Sequence, residues 1–451
     1  MPHNDVCRGI FNGVKKKTCG ETKEAFPESP PRLIFPEIFP RTRAPMLRHH
    51  VFFETLGTLK EDDRRWRSTL AGLFVLRLVD SIADDATRAT ATEWTGIEAA
   101  RTAAKAIHNG DPSRAILLRL LDLVEDRGRL CPEIGGELLS YGRALDLEAR
   151  WPLAADVFGT IPDVFSARGN PRLVVDACTA LGAAARNVGN WEASTRAYAK
   201  AQHLADVTGD LAASLTVRVG IADTYITRGN LPAAEEELHS VLAEARANEL
   251  GQVEALALHA EAFSAVSRGH YQRAVHLAYR SLELTTNQTA RDRILGDIAA
   301  AYAGLGMRET ARDGYSIVAV TSPHQWVRWQ ATLNLMELAI LEGSEELFDD
   351  YVQQVADAPL DPRLRAYFLF FNAAGFERFE REGVAAMFAT AREYADAHEL
   401  HQIAFEVDAA MKSSRQSAEE SGSLTGGSGV PDGELQRIAE VLMHLRAEAT
   451  A

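Results

Sequence analysis

Few groups in this chain carry the spacing that chemistry requires. A zinc protease presents two histidines four residues apart on one helix face, with a glutamate between them. Here His398-Glu399-Leu400-His401 sets them three apart, which reads as an exposed helix end before it reads as a metal site. His49 and His50 are adjacent, so their side chains diverge around a helix and are poorly placed to share a ligand. The four cysteines, Cys7, Cys19, Cys131 and Cys178, lie far apart, with no CxxC pair and no neighbouring histidine. That usage fits a reducing compartment rather than a disulfide framework. Gly426-Gly427-Ser428-Gly429 opens no phosphate-binding helix, and no GxSxG nucleophile elbow occurs. Carboxylates cluster at Asp84-Asp85, Glu235-Glu236-Glu237 and Asp349-Asp350. They fall on polar helix faces, where hydration and i, i+4 pairing account for them without acid–base catalysis. No catalytic residue, metal or cofactor is expected; an enzyme with scattered site residues is the lesser alternative.

What the chain must position, then, is a surface. Its 451 residues are 46% apolar, enough for a large core, and 48 Lys plus Arg stand against 63 Asp plus Glu, a net charge of -15. Such a field repels phosphate backbones and anionic lipid, so neither nucleic acid nor a membrane is an expected partner. The most apolar stretch, Leu70 to Ala83, contains Arg77 and Asp80 and falls short of the roughly 20 residues that cross a bilayer, so it reads as a buried helix. No apolar segment precedes a small-residue cleavage site near the N-terminus, which makes the cytoplasm the expected location. Residues 1–45 hold seven of the 17 prolines, eight basic against five acidic side chains and no helical period. A disordered Pro-rich tail is expected there. Lys15-Lys16-Lys17 would make it a basic docking arm, or simply solvated chain, and Met46 opens the first amphipathic segment, as if the tail were an over-extended translation start. Without the tail the body carries about -18, spread over outer helix faces.

From Met46 to Lys412 apolar residues recur at three- and four-residue spacing with no run of alternating β-branched residues, which predicts an all-α chain. The turns Arg186-Asn187-Val188-Gly189-Asn190-Trp191, Thr227-Arg228-Gly229-Asn230-Leu231 and Ser267-Arg268-Gly269-His270-Tyr271 place their glycines 40 residues apart. The series continues at Gly306, Gly343 and Gly383, and backwards to Arg150-Trp151, giving seven units of 37 to 40 residues. Glycine suits a reversal between antiparallel helices because a left-handed residue at a helix end costs it least. Small residues precede each turn at Gly182, Ala222, Ala262 and Ala299 and follow it at Ser194, Ala234, Ala274 and Ala311. They let paired helices approach, with Tyr198, Leu238, Tyr315, Tyr225 and Tyr302 as the large partners.

This small-large-Gly-small-large pattern resembles the tetratricopeptide repeat. The hallmark positions are Leu181, Gly182, Gly189, Trp191, Tyr198 and Ala201 in one unit, then Ile221, Ala222, Tyr225, Gly229, Ala234 and Leu238. A later unit repeats them as Ile298, Ala299, Tyr302, Gly306, Ala311 and Tyr315. The match spans about 172–320, with a period longer than the family's usual, roughly 34. Arg218 and Glu261 stand where an apolar residue is expected. The resemblance implies an α-solenoid of antiparallel helical hairpins, a tetratricopeptide-like superhelix in the form of an elongated arc, with HEAT or armadillo packing as the alternative. The expected organisation is a helical cap over 46–130, the solenoid over 131–410, a flexible Ser/Gly linker over 411–433 and an amphipathic helix over 434–449. Leu435, Ile438, Val441, Leu442 and Leu445 form its stripe, which needs a dock on its own solenoid, on a second copy through self-association, or on a partner.

In this family the first helix of each hairpin lines a concave groove. Projecting that pattern back from each turn glycine gives as candidates for peptide contact Asp176, Thr179, Arg186, Asp223, Ile226, His259, Phe263, Arg293, Gln330 and Glu337. An apolar centre at His259 and Phe263 between polar ends suits a peptide with an apolar anchor flanked by charge, though Phe263 serves equally to pack a neighbouring helix. Family members that clamp a C-terminal carboxylate use Lys and Asn at positions that here hold Thr179 and Ala183, then Val219 and Asp223, so that clamp is absent. Trp326 and Trp329 begin a helix, where filling a core gap is favoured over anchoring an interface. The resemblance implies a non-catalytic scaffold or adaptor that binds a peptide segment of a protein partner. The alternative is a ligand- or peptide-sensing module of a bacterial signalling or transcriptional regulator.

Overall fold

The computed structural model describes residues 48–84, 96–127, 129–165, 169–358, 360–398, 400–417 and 433–450. Among them are twenty helices and no strand. They run α1 (His50–Thr58), α2 (Arg64–Asp84), α3 (Ile97–Lys105), α4 (Pro112–Arg127), α5 (Pro132–Leu147), α6 (Trp151–Phe165), α7 (Pro171–Asn187), α8 (Trp191–Thr208), α9 (Leu211–Thr227) and α10 (Leu231–Ala247). The series continues with α11 (Gly251–Ser267), α12 (Tyr271–Leu284), α13 (Gln288–Gly304), α14 (Arg308–Thr321), α15 (Gln325–Glu342), α16 (Glu345–Val355), α17 (Pro362–Arg378), α18 (Val384–Ala397), α19 (His401–Ser417) and α20 (Gly433–Thr450). The expected tail over 1–45 and the glycine-rich 426–429 lie outside the described residues. Helix α19 continues to Ser417, into the segment read from sequence as linker from 411 onward. Serine and lysine at 412–414 do not break a helix that already has a packed face behind it.

Five hairpins close on their glycine, while α17–α18 turns on Glu380, φ 54°, three residues ahead of Gly383. Gly189, Gly229, Gly269, Gly306 and Gly343 have φ of 75°, 78°, 75°, 80° and 73°. At the first of them the Asn190 N–H donates to Ala185 O at 2.9 Å and the Gly189 N–H to Arg186 O at 2.9 Å, which satisfies carbonyls that the helix end leaves open. At this turn the next helix, α8, also starts on a side-chain cap, Asn190 Oδ1 accepting from the Ala193 N–H at 3.1 Å. The small residues act as spaced. A Cβ on Gly182 would lie 2.8 Å from the Tyr198 ring and one on Gly220 2.6 Å from it, so Tyr198 of α8 is wedged between α7 and α9. Arg218 and Glu261 replace apolar packing with ion pairs: Arg218 to Glu237 and to Glu244, the latter at 2.6 Å, and Glu261 to Arg273.

Consecutive helices pack on one another from α1 to α19, and each odd-numbered helix from α5 to α19 also touches the next odd one. No comparable contact joins successive even-numbered helices from α6 to α18. Elements crowd together on the inside of a curve, so the odd helices form the concave layer and the even ones the convex layer. The chain is thus an all-α solenoid of antiparallel helical hairpins. One apolar cluster runs from Phe52 through Tyr141, Phe158 and Cys178 to Val217, so no break in the core falls near residue 130.

Two long-range contacts reshape this array. Helix α20 lies against α12 and α14, with Leu435, Ile438 and Leu442 buried in the same cluster as Tyr302 and Val318. Tyr302 donates its hydroxyl to Leu435 O at 2.8 Å, Arg446 pairs with Asp313, and His276 meets Glu434 at 3.2 Å. The apolar stripe, whose dock the sequence left open between its own solenoid, a second copy and a partner, is covered in cis, because the outer surface of α12–α14 offers it an apolar dock within reach. The second contact crosses the interior. The Arg363 guanidinium of α17 lies 5.8 Å from the centroid of the Trp151 ring of α6, and Arg65 of α2 sits in the field of Asp361 and Tyr394. The expected open arc is instead wound tightly enough for its early and late helices to face each other.

Candidate functional site

Winding creates a cleft with walls from two distant parts of the chain. Asp146, Leu147, Ala149 and Trp151, at the α5–α6 turn, face Arg293, Gly296, Asp297 and Ala300 of α13 and Gln330, Asn334 and Glu337 of α15. Asp292 of α13, Tyr315 and Val318 of α14 and Trp326 of α15 also line it, and the interior measures about 80 Å³. The turn is held in an unusual conformation: Ala149, where five later hairpins carry glycine, has φ 56°. A side chain in the left-handed region stores strain of roughly 1–2 kcal/mol. Trp151 follows two residues on, so this turn delivers an indole to the interior.

Charge in the cleft is unbalanced, with Asp146, Asp292 and Asp297 against the single guanidinium of Arg293. Asp297 is answered by His259 of α11, whose Nε2 lies 2.6 Å from Oδ2. Asp292 accepts from Gln288 Nε2 at 2.7 Å through Oδ1, while its Oδ2 is buried with no donor. Glu337 is 8% exposed, and burial, reinforced by the charge of Glu406, pushes its carboxyl up to about 8. Trp326 donates its indole N–H to Asp361 Oδ2 at 2.6 Å, and the same carboxylate caps α17 by accepting from the Arg363 and Leu364 N–H groups. Trp326 thus anchors α15 to α17 and is half-buried there, in line with a core-filling role.

Of the ten residues projected from sequence, the structure brings Arg293, Gln330 and Glu337 together in this cleft, and His259 reaches it through Asp297. The others stand elsewhere. Arg186 is 2% exposed between α7 and α9, with Nη1 3.5 Å from Asp223 Oδ2 and 3.2 Å from Gly220 O. This pair is buried structure and not open groove, because α7 and α9 approach closely at Gly182 and Gly220. Ile226 is core, and Phe263 is half-buried against the same cluster. Asp176 pairs with Arg172 at 3.1 Å, and the Thr179 hydroxyl donates to Val175 O at 2.8 Å within its own helix. Sequence reasoning missed Asp146, Trp151, Asp292, Asp297 and Tyr315. Asp292 sits one residue from the projected Arg293, a visible signal; the α5–α6 turn carried none, since its approach depends on the winding of the three hairpins between it and α13.

The residues first weighed for chemistry have local partners. His398 stacks on Tyr394 with centroids 4.1 Å apart, and Glu399 lies outside the described residues. Glu235 pairs with Arg268 at 2.9 Å and Asp349 with Arg381 at 2.7 Å. Among the described residues no group of three or more His, Cys, Asp or Glu side chains is placed to hold a metal ion, and no helix is long and apolar enough to cross a membrane.

Neither a protein-family model nor a curated protein matches the chain. Among solved structures, the apo form of RapI is similar to it, at a TM-score of 0.40 and 11% identity, covering 76% of this chain and 99% of that one. A likeness that distant transfers neither a site nor an activity.

Proposed function

We propose that this chain is a non-catalytic, tetratricopeptide-like solenoid that binds a peptide segment of a partner on its concave face, acting as a scaffold or adaptor in the cytoplasm. The observation that carries the reading is the cleft between the α5–α6 turn and helices α13 and α15. It combines aromatic walls at Trp151, Trp326 and Tyr315 with the amides of Gln330 and Asn334, a composition suited to holding a peptide backbone beside an inserted side chain. The test uses Gly296, which lines the cleft and where an added Cβ would meet nothing within 4 Å. Peptides selected from a randomised displayed library on the full chain should lose at least about tenfold in affinity for Gly296→Trp, whose indole fills the cleft, while the melting temperature holds or rises because glycine is a poor helix former. Equal affinity for both proteins would sink the assignment of the cleft.

One observation also favours a sensing role. The Arg363–Trp151 contact joins late and early helices through a residue that lines the cleft, so an occupant that shifts Trp151 changes how the superhelix closes. Such a device reports occupancy to whatever binds the outer surface.

A further inference from the structure

We propose that the cleft receives a basic side chain, an arginine or lysine of the bound peptide, inserted between the α5–α6 turn and helices α13 and α15. The inference rests on the peptide-groove reading above and names the residue that the groove selects. Its ground is a set of acceptors left without donors. Glu337, 8% exposed, makes no hydrogen bond or ion pair among the described residues, and its carboxyl, pushed up to about 8 by burial, is one that an entering cation would ionise. Asp292, 1% exposed, keeps Oδ2 unpaired, and Asp146 adds a buried Oδ1 with no donor. These oxygens line one cleft.

Burying acceptors without donors is unfavourable, and it is relieved when a ligand brings N–H groups to them. A guanidinium carries five such donors in a planar fork and an ammonium three, each with the positive charge that the excess of carboxylates lacks. Trp151, Trp326 and Tyr315 provide aromatic surface of the kind that attracts organic cations. The interior of about 80 Å³ suits one slender side chain better than a whole metabolite. Metal ions fit poorly, since the carboxylates are spread over three helices and no three of the described ligating side chains converge. Arg293 stands in the same lining and leaves the carboxylates in excess.

The experiment uses the full chain and two sets of acetylated random hexapeptides, one with arginine fixed at a single position and one with citrulline there. Citrulline keeps the shape and removes the charge. Binding is read by tryptophan fluorescence and calorimetry. The arginine set should bind roughly tenfold or more tightly, and the preference should vanish in the near-isosteric double variant Glu337→Gln with Asp292→Asn. Circular dichroism checks that this variant folds, and Asp146→Asn, at the end of α5, weakens the preference independently if it does not. Equal binding of both sets overturns the inference and leaves the groove reading standing. Binding of neither set overturns the groove reading and the inference with it. Spermidine or free arginine binding as tightly as the peptides overturns the peptide source and makes the occupant a small amine.

Discussion

His49 sits at the head of α1 with its ring nitrogens against two carboxylates, Nδ1 at 2.6 Å from Asp156 and Nε2 at 3.1 Å from Asp80. It ties α1 to α2 and α6 at once. Burial by itself would lower its pKa, but the two carboxylates outweigh that and raise it to about 9. A histidine whose folded pKa exceeds its unfolded value of 6.5 stabilises fully below 6.5, and that contribution fades as pH rises through about 9. Urea melts of His49→Gln should therefore be nearly parallel to wild type at pH 9 and weaker at pH 6, by roughly 3 kcal/mol at most. A constant difference across that range would show that the imidazolium is not the group concerned. Glu337 also makes wild type less stable with rising pH, but it is present in both proteins and cancels from the comparison. The residue scale also explains why site residues were only partly legible. A projection along one helix found Arg293, Gln330 and Glu337 because helical periodicity alone decides which side of α13 or α15 they occupy. The same period projected Arg186 and Asp223 to the groove, and the close approach of α7 and α9 at two glycines buries them as a pair.

At the scale of elements, α20 is the instructive case. Its stripe announced an amphipathic helix, and the sequence left open whether it docks in cis or in trans. The dock is formed by α12 and α14 with Tyr302 of α13 showing between them, three helices whose outer surface no single segment reveals. Deleting residues 418–451 uncovers the face that Leu435, Ile438 and Leu442 protect. In a repeat array, stability passes mainly between neighbours. Amides in α12–α14 should then exchange with deuterium at least about tenfold faster, while those in α5–α8 keep their protection. Uniform acceleration along the chain would instead mean that the array unfolds as one unit, and no acceleration that α20 contributes little where it sits.

For the molecule as a whole, the decisive feature is that the superhelix winds until the α5–α6 turn meets the inner face of α13 and α15. Replacing both Trp151 and Arg363 with alanine removes the contact between early and late helices, and solution scattering should report a larger radius of gyration with circular dichroism unchanged. An identical scattering curve would show that the ends are held by other contacts. The amino-acid sequence by itself determined the class of this protein: helices from the apolar period, hairpins from glycines that adopt φ of 73° to 80°, and a solenoid from their recurrence. Those signals are local, because turn conformation and helix face depend on a few neighbouring residues. Only the tertiary structure decided that the groove closes into a cleft, that Asp146 and Trp151 share it with Asp292 and Glu337, and that α20 folds back on its own chain. The physical reason is accumulation. Each hairpin adds a small rotation set by side-chain packing, and the sum of those rotations, written at no single position, fixes which distant residues meet.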